Sequence, residues 1–348
     1  MFNKKENAPE IVMDERTARR ERAKKRIRKR RIVTSLAIVA SLLAGYAIGR
    51  YQYLAFESIK GSTDPVAVEQ DNVKEEPKND TEDSTEATMA NTATALTITP
   101  AENIDYGVEL TTPVNYSLYQ ALKQLRNVEA TDERYSKILE DPSIYPEKML
   151  INLANNPEQL DFVYNYPKNE KDKSQAILTE DELNAECPLF IQWDQRWGYL
   201  SYGDDSNIAI SGCGPTSLAM VIVGLTDNKK ATPAQVAEYS MENGHYMNGT
   251  GTAWTLMLEG AEDYGLKSER IGINPNTMKK ALDSGAYLIV SVDAGDFTTG
   301  GHFIVIYDYD ENGFCVNDPN SVYRSNKRWT YDQLAGQIKA IWSLKSAK

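Results

Sequence analysis

Three side chains in the second half of the chain are of the kinds used for nucleophilic catalysis. Cys213 lies between two glycines where an apolar helical run begins, and there the helix dipole favours a thiolate. His302 opens a β-branched and aromatic stretch that is typical of a buried strand. Asp318 ends the next such stretch. A thiol, an imidazole and a carboxylate can act as nucleophile, base and orienting group, so these residues predict acyl-transfer chemistry.

Such a nucleophile also needs hydrogen-bond donors for a developing oxyanion. The backbone N–H of Cys213, at the helix start, is one candidate. Gln192 and Gln195, in the upstream run F-I-Q-W-D-Q-R-W-G, are the side-chain candidates. By position alone, Cys213 fits equally well a small, buried apolar residue at the start of a helix.

The loop between the two predicted strands decides which side chain meets His302. A three-residue loop pairs Asp310 with Phe314. This register puts Asp318 on the side of the sheet that carries His302 and turns Asn317 away, whereas a two- or four-residue loop reverses the choice. Asp318 still lies about four residues along the strand from His302, so a bulge or a strong twist must close the gap.

The composition limits the other chemistries. The chain has 348 residues, a formal net charge of -12, 3 Cys and 2 His, and no C-x-x-C pair. The negative charge argues against nucleic acid as a partner. The scarcity of Cys and His argues against a zinc site and a disulfide scaffold, and we expect no cofactor. Cys187 and Cys315 are interpreted as structural thiols, with a disulfide between them left open. His245 is interpreted as a solvated loop residue, with a place in the substrate groove as the alternative.

The first 50 residues have the pattern of an uncleaved signal anchor. Residues 1–31 hold 13 Lys or Arg against 5 Asp or Glu, and residues 32–49 carry no charge. A helix of that length spans ~27 Å, enough for the hydrocarbon core of a bilayer. The basic flank is too long for a cleaved signal peptide, and no A-x-A site comes after the apolar run. We predict a cytoplasmic tail over 1–31, a transmembrane span in contact with lipid over 32–50, and an extracellular remainder.

Two segments come after the predicted span. Residues 51–105 are rich in Thr, Ser, Asp, Glu, Asn and Ala, and they predict a disordered stalk with a reach of roughly 35 Å. Residues 106–185 predict a small helical module, because Leu118, Leu122 and Leu125 recur at helical spacing. The module has too few apolar residues for a robust core of its own, so we expect it to dock on the domain C-terminal to it. A spacer or packing role is favoured over an inhibitory pro-segment.

At these motifs the sequence resembles a known family. The stretches F-I-Q-W-D-Q-R-W-G, S-G-C-G-P-T-S-L-A-M, G-G-H-F-I-V-I and V-N-D-P resemble the double-glycine, bacteriocin-processing cysteine peptidases, peptidase family thirty-nine. They resemble more closely the stand-alone, surface-anchored relatives in Gram-positive bacteria. The resemblance covers roughly residues 186–345. It implies a papain-like fold with Cys213 as nucleophile, His302 as base, Asp318 as orienting acid and Gln192 as oxyanion donor.

Together these observations predict an α+β protein that ends in a papain-like cysteine peptidase domain, the C-terminal domain (residues 186–348). The expected function is hydrolysis of an amide bond in a peptide or protein outside the cell, by a Cys-His-Asp triad. The chain has no P-loop, so cleavage of double-glycine leaders is not expected. Two alternatives stay open: a peptidoglycan amidase or endopeptidase in contact with the cell wall, and a catalytically silent binding module with the same fold.

Overall fold

The computed structural model describes residues 109–169 and 177–348. These residues belong to one compact unit, Asn91–Lys348. The predicted tail, span and stalk, residues 1–105, lie outside the described residues. Among the residues that are described, no helix combines the length and the apolar character needed to cross a membrane.

Four α-helices form most of the helical module, and side chains cap the first two. The Ser117 hydroxyl accepts from the backbone N–H of Gln120, and the Gln120 side chain accepts from the N–H of Ser117 in return, which makes a capping box. Asp132 caps the second helix through the backbone N–H of Arg134. The helices are α1 (Leu118–Val128), α2 (Glu133–Glu140), α3 (Glu147–Asn155) and α4 (Leu160–Asn169), with α5 (Glu180–Asn184) nearer the C-terminal domain.

The C-terminal domain combines short helices with an antiparallel sheet, which confirms the predicted mixture of helix and strand. Its helices are α6 (Ile208–Ser211), α7 (Cys213–Leu225), α8 (Pro233–Glu242), α9 (Glu259–Asp263), α10 (Pro275–Asp283), α11 (Val322–Ser325) and α12 (Tyr331–Ala335). Strands β1 (Tyr246–Met247) and β2 (Gly251–Thr252) pair as a small hairpin. The large sheet contains β3 (Leu266–Ile271), β4 (Tyr287–Val292), β5 (His302–Asp310), β6 (Gly313–Asn317), β7 (Arg328–Trp329) and β8 (Ile338–Ser346).

The six strands of the large sheet run in the order β3-β8-β4-β5-β6-β7, and each neighbouring pair is antiparallel. Helices cover both faces. On one face, Phe303 and Val305 of β5 share a core with Leu218 of α7. On the other face, Ile304 shares a core with Met278 of α10. This alternation follows from the two-residue period of a strand, and β4 is buried along its whole length because it is covered on both sides.

The loop of the β5–β6 hairpin differs from the prediction. Asp310 pairs with Gly313 and not with Phe314, so the loop has two residues and the predicted three-residue loop was wrong. Gly313 has a φ of 139°, and a Cβ there would lie 2.5 Å from the carbonyl oxygen of Trp329 on the neighbouring strand. A glycine is therefore required at this position, and it allows the tighter loop.

A bulge then restores the predicted facing of Asp318. The register shifts between Ile306 and Asp308, and beyond this bulge Val305 pairs with Asn317. If this register is continued by one residue, Asp318 lies opposite Ile304. It is then two residues from His302 along the strand and on the same side of the sheet. A two-residue loop without the bulge would have turned Asp318 to the opposite face.

The helical module docks on the C-terminal domain through a shared apolar core, as expected from its small size. Phe162 of α4 stacks on Tyr199, with ring centroids 4.2 Å apart and planes 10° from parallel. The Tyr199 hydroxyl donates to the carbonyl of Phe162 at 2.8 Å. The core draws on both parts of the chain: Leu125, Tyr135, Ile138, Leu150, Leu153, Phe162 and Val163 from the module, and Ile191, Trp193, Tyr199, Ala209 and Val322 from the domain.

Candidate active site

Cys213 is the first residue of α7, and Gly212 is its N-cap. No side chain caps this helix end, so the positive end of its dipole is not neutralised by a capping group. The helix is buried over 10 consecutive residues, and the Ser217 hydroxyl donates to the carbonyl of Phe303 on β5 at 3.3 Å. Cys213 itself is only partly buried. The buried helix thus fixes a thiol that solvent and a substrate can still reach.

The chain next to Cys213 is tightly packed against Thr252. A Cβ on Gly214 would lie 2.5 Å from the Thr252 hydroxyl oxygen, so only glycine fits next to Cys213. The Thr252 hydroxyl is hydrogen-bonded to the Tyr202 hydroxyl at 2.8 Å. Burial raises the pKa of Tyr202 to about 12.

His302 and Asp318 form a buried hydrogen-bonded pair. The Nε2 atom of His302 lies 2.7 Å from Oδ1 of Asp318, and the side chains are 7% and 0% exposed. A carboxylate oxygen accepts, so Nε2 carries the donated proton. The other ring nitrogen, Nδ1, is then the one left to exchange a proton with the thiol of Cys213, which is among the groups that raise the pKa of the imidazole.

The surroundings of His302 favour its charged form. Burial is the largest single effect and lowers the pKa of the imidazole, but the negative charges of Asp318 and Cys213 and their hydrogen bonds outweigh it. The net result raises the pKa of His302 from 6.5 to about 10. An imidazolium at neutral pH, next to a thiol at a helix N-terminus, is the environment that activates a cysteine nucleophile.

Several contacts hold the Asp318 carboxylate in place. Its Oδ1 atom also accepts from the backbone N–H of Asn320 at 2.8 Å. The backbone N–H of Asp318 donates to the Ser325 hydroxyl at 2.9 Å. Its Oδ2 atom lies 3.7 Å from the guanidinium of Arg324, a residue that is 3% exposed. Sequence reasoning did not find Arg324, because no motif distinguishes it from other arginines; its position becomes clear only when α11 folds against the end of β6.

Asn317 does not point at His302. Its side-chain amide donates to the carbonyls of Cys187 and Pro188, at 3.2 Å each. The amide therefore ties β6 to the segment that begins the C-terminal domain. Of the two residues, Asp318 is the one whose side chain is hydrogen-bonded to His302.

Gln192 lies between the segments that carry Cys213 and Asp318. Its side-chain amide nitrogen donates to the carbonyl of Ala209 on α6 at 2.6 Å, and its backbone N–H donates to the carbonyl of Pro319 at 2.7 Å. The side chain is 4% exposed. The Ala209 carbonyl uses one of the two amide hydrogens, so the second is available for an oxyanion.

Gln195, the other candidate donor, points elsewhere. Its amide nitrogen donates to the Asp161 carboxylate on α4 at 2.6 Å, in an exposed contact between the helical module and the C-terminal domain. Of the two glutamines, only Gln192 bonds to the segment before Cys213 and to the segment after Asp318.

The remaining candidates have structural surroundings. His245 is 5% exposed and its Nδ1 atom lies 2.8 Å from the Thr255 hydroxyl, so its interpretation as a solvated residue was wrong; the loop folds back against the start of a short helix. Cys187 and Cys315 are free thiols. In the described part of the chain, no group of three or more His, Cys, Asp or Glu side chains could hold a metal ion.

Comparison with known proteins finds a family match over the C-terminal domain. Residues 185–347 match the Peptidase_C39 like family. The match covers just under half of the chain and agrees with the family that the sequence motifs resemble. A crystal structure described as a C39-like peptidase from Bacillus anthracis is 18% identical, with a TM-score of 0.28, over 48% of this chain and 97% of that chain. No curated protein matches the chain.

Proposed function

We propose that the C-terminal domain is a papain-like cysteine peptidase that cleaves an amide bond of a peptide or protein with Cys213, His302 and Asp318. The observation that carries the proposal is the continuous relay at the start of α7. Asp318 holds His302 at 2.7 Å, and Cys213, at the helix start, is with Asp318 one of the groups that raise the pKa of His302. A silent binding module would not need a buried imidazole coupled to both a carboxylate and an accessible thiol.

In the first half of the reaction, the Cys213 thiolate attacks the carbonyl carbon of the scissile amide. A carbon–sulfur bond forms, and the carbonyl electrons move onto the oxygen. When the tetrahedral intermediate collapses, the carbon–nitrogen bond breaks and His302 gives its Nδ1 proton to the leaving amine. Asp318 keeps the imidazole in the required tautomer and orientation throughout.

In the second half, a water molecule replaces the amine. His302, now neutral, takes a proton from the water, whose oxygen attacks the thioester carbon. The carbon–sulfur bond breaks, a carboxylic acid leaves and releases its proton to solvent, and the thiolate–imidazolium pair is restored. In both halves the backbone N–H of Cys213 and the free amide hydrogen of Gln192 would stabilise the oxyanion.

The proposal includes the location predicted from the sequence. Residues 32–50 anchor the protein in the membrane, residues 1–31 stay in the cytoplasm, and the peptidase works outside a Gram-positive cell. The support is the uncharged run next to a one-sided basic flank. Proteinase K added to intact cells should digest the C-terminal domain; protection until the cells are lysed would contradict this location.

The catalytic proposal predicts a selective reaction of Cys213. In the full-length folded protein, iodoacetamide should alkylate Cys213 at neutral pH much faster than Cys187 or Cys315, because burial raises the pKa of both other thiols. Peptide mass mapping after timed labelling measures the three rates separately. Equal rates at all three thiols would remove the basis of the proposal.

Activity on a casein-like protein is the matching functional test. Cys213→Ala should abolish hydrolysis, and Cys315→Ala, which removes a buried thiol from β6, should leave hydrolysis unchanged. Isolated cell-wall material serves as the second substrate. Release of wall fragments without hydrolysis of the protein would replace the proposed substrate class by peptidoglycan cross-links.

A further inference from the structure

Residues of the helical module reach the segment that carries the proposed catalytic acid. Asn156 donates from its side-chain amide to the carbonyl of Asn320 at 2.6 Å, and Gln159 donates to the Asn320 side chain at 2.9 Å. Glu158 accepts from the backbone N–H of Tyr323 at 2.8 Å. These contacts join a short helical turn of the module to the residues just after Asp318. Asn320 in turn donates its own N–H to the Asp318 carboxylate.

Buried charges of alternating sign continue from the active site into the module. Next to Asp318, Arg324 lies at 3.7 Å from the carboxylate. Beyond it, Glu158 accepts from the backbone N–H of Tyr323. Burial raises the pKa of Glu158, and the cation of Arg324 opposes that rise. Arg324 and Glu158 are 3% and 2% exposed. A buried cation is costly unless an opposite charge compensates it, so Glu158 balances the charge that Arg324 brings next to Asp318.

Arg324 therefore acts on the acid through charge and not through a directional bond. Its nitrogen and the Asp318 oxygen are farther apart than hydrogen-bond distance, and Oδ1, the other oxygen, already binds His302 and the N–H of Asn320. A cation on the Oδ2 side attracts the carboxylate and helps to fix its position. The same cation, unless balanced, would weaken the attraction between Asp318 and the imidazolium of His302.

We infer that Arg324 and Glu158 are positioning residues for the catalytic acid, and that the helical module is a permanent part of the catalytic unit. This inference rests on the proposed function of Cys213, His302 and Asp318. It assigns the module a role other than a spacer or a removable inhibitory segment. Loss of the module would release Asn320 and Tyr323 and remove the carboxylate of Glu158 from the surroundings of Arg324.

The test uses the pH dependence of alkylation at Cys213, which needs no substrate. The groups facing His302 are Asp318 and Cys213, with Arg324 and Glu158 behind Asp318. In the full-length chain, the rate should show a high-pH step when His302 loses its proton. Glu158→Gln leaves Arg324 unbalanced and should move this step to lower pH by about half a pH unit. Arg324→Gln removes the cation and should move the step to higher pH, whereas Arg324→Lys should leave it near its original position.

Glu147→Gln is the matched control, because it makes the same substitution at an exposed site on α3 of the same module. A purely structural role predicts lower melting temperatures for the Glu158 and Arg324 variants and an unmoved step. Steps that move in opposite directions for Glu158→Gln and Arg324→Gln support the inference, and unmoved steps in both folded variants overturn it. Should Glu158→Gln not fold, the comparison of Arg324→Gln with Arg324→Lys decides alone. A wild-type chain without a fast, pH-dependent reaction at Cys213 would overturn the proposed function itself, and the inference with it.

Discussion

Two adjacent residues, Asp318 and Asn317, divide the work at the end of β6. Asp318 holds the imidazole of His302, and Asn317 ties the strand to Cys187 and Pro188 on the other side. Both side chains are buried, at 0% and 4% exposure. Burial therefore does not distinguish the roles of the two residues. The partner of each hydrogen bond does: His302 for Asp318, and the carbonyls of Cys187 and Pro188 for Asn317.

This division predicts opposite phenotypes for the two residues. Asp318→Asn keeps the shape of the side chain but removes the charge that stabilises the imidazolium, so kcat should fall by about 100-fold or more with KM within about twofold. Asn317→Ala removes two buried hydrogen bonds and should lower the free energy of unfolding by about 1–3 kcal/mol. Steady-state kinetics and urea unfolding of both variants measure the two effects.

The pair of variants also contains its own control. Asn317→Ala should keep kcat near wild type in the folded protein, because the side chain does not contact His302. A large loss of kcat in Asn317→Ala, with little loss in Asp318→Asn, would mean that Asp318 is not the third member of the triad.

At the scale of the elements, α7 and the hairpin β5–β6 bring the site together. The motifs around Cys213 and His302 were sufficient to predict a helix N-terminus facing a strand, because glycines and β-branched runs have strong local preferences. The facing of Asp318 depended on the hairpin loop and on a bulge. The bulge lies at Tyr307. The local preferences of the residues do not determine it, because it depends on how both faces of the sheet pack.

The predicted facing of Asp318 was therefore right for an incomplete reason. A shorter loop and a bulge each shift the register by one residue, and the two shifts together return Asp318 to the side of His302. The two shifts together also shorten the separation along the strand from the expected four residues to two. Arg324 and Glu158 lay beyond prediction for a related reason: α11 and the module turn meet only through tertiary contacts between residues far apart in the chain.

At the scale of the whole molecule, the helical module and the C-terminal domain bury one another's apolar surface. Ile191, Trp193 and Tyr199 of the domain pack in the same core as Phe162 and Val163 of the module. The core of the module is thus completed by the domain, and the segments before Cys213 and after Asp318 lie at the same junction. We expect the two parts to unfold together as one cooperative unit.

Phe162→Ala tests this cooperativity with tryptophan fluorescence, a probe whose side chains all belong to the domain. All 5 tryptophans lie within residues 186–348, so tryptophan fluorescence follows the domain and far-UV circular dichroism follows both parts. Removing the buried Phe162 ring should cost about 3–5 kcal/mol and shift both urea transitions equally. Tyr119→Ala removes an aromatic ring that is 76% exposed on the same module and should shift neither. A fluorescence midpoint that stays at its wild-type value while helical signal is lost at lower urea would mean that the module unfolds independently. In that case the segment that carries Asp318 would stay folded without the module.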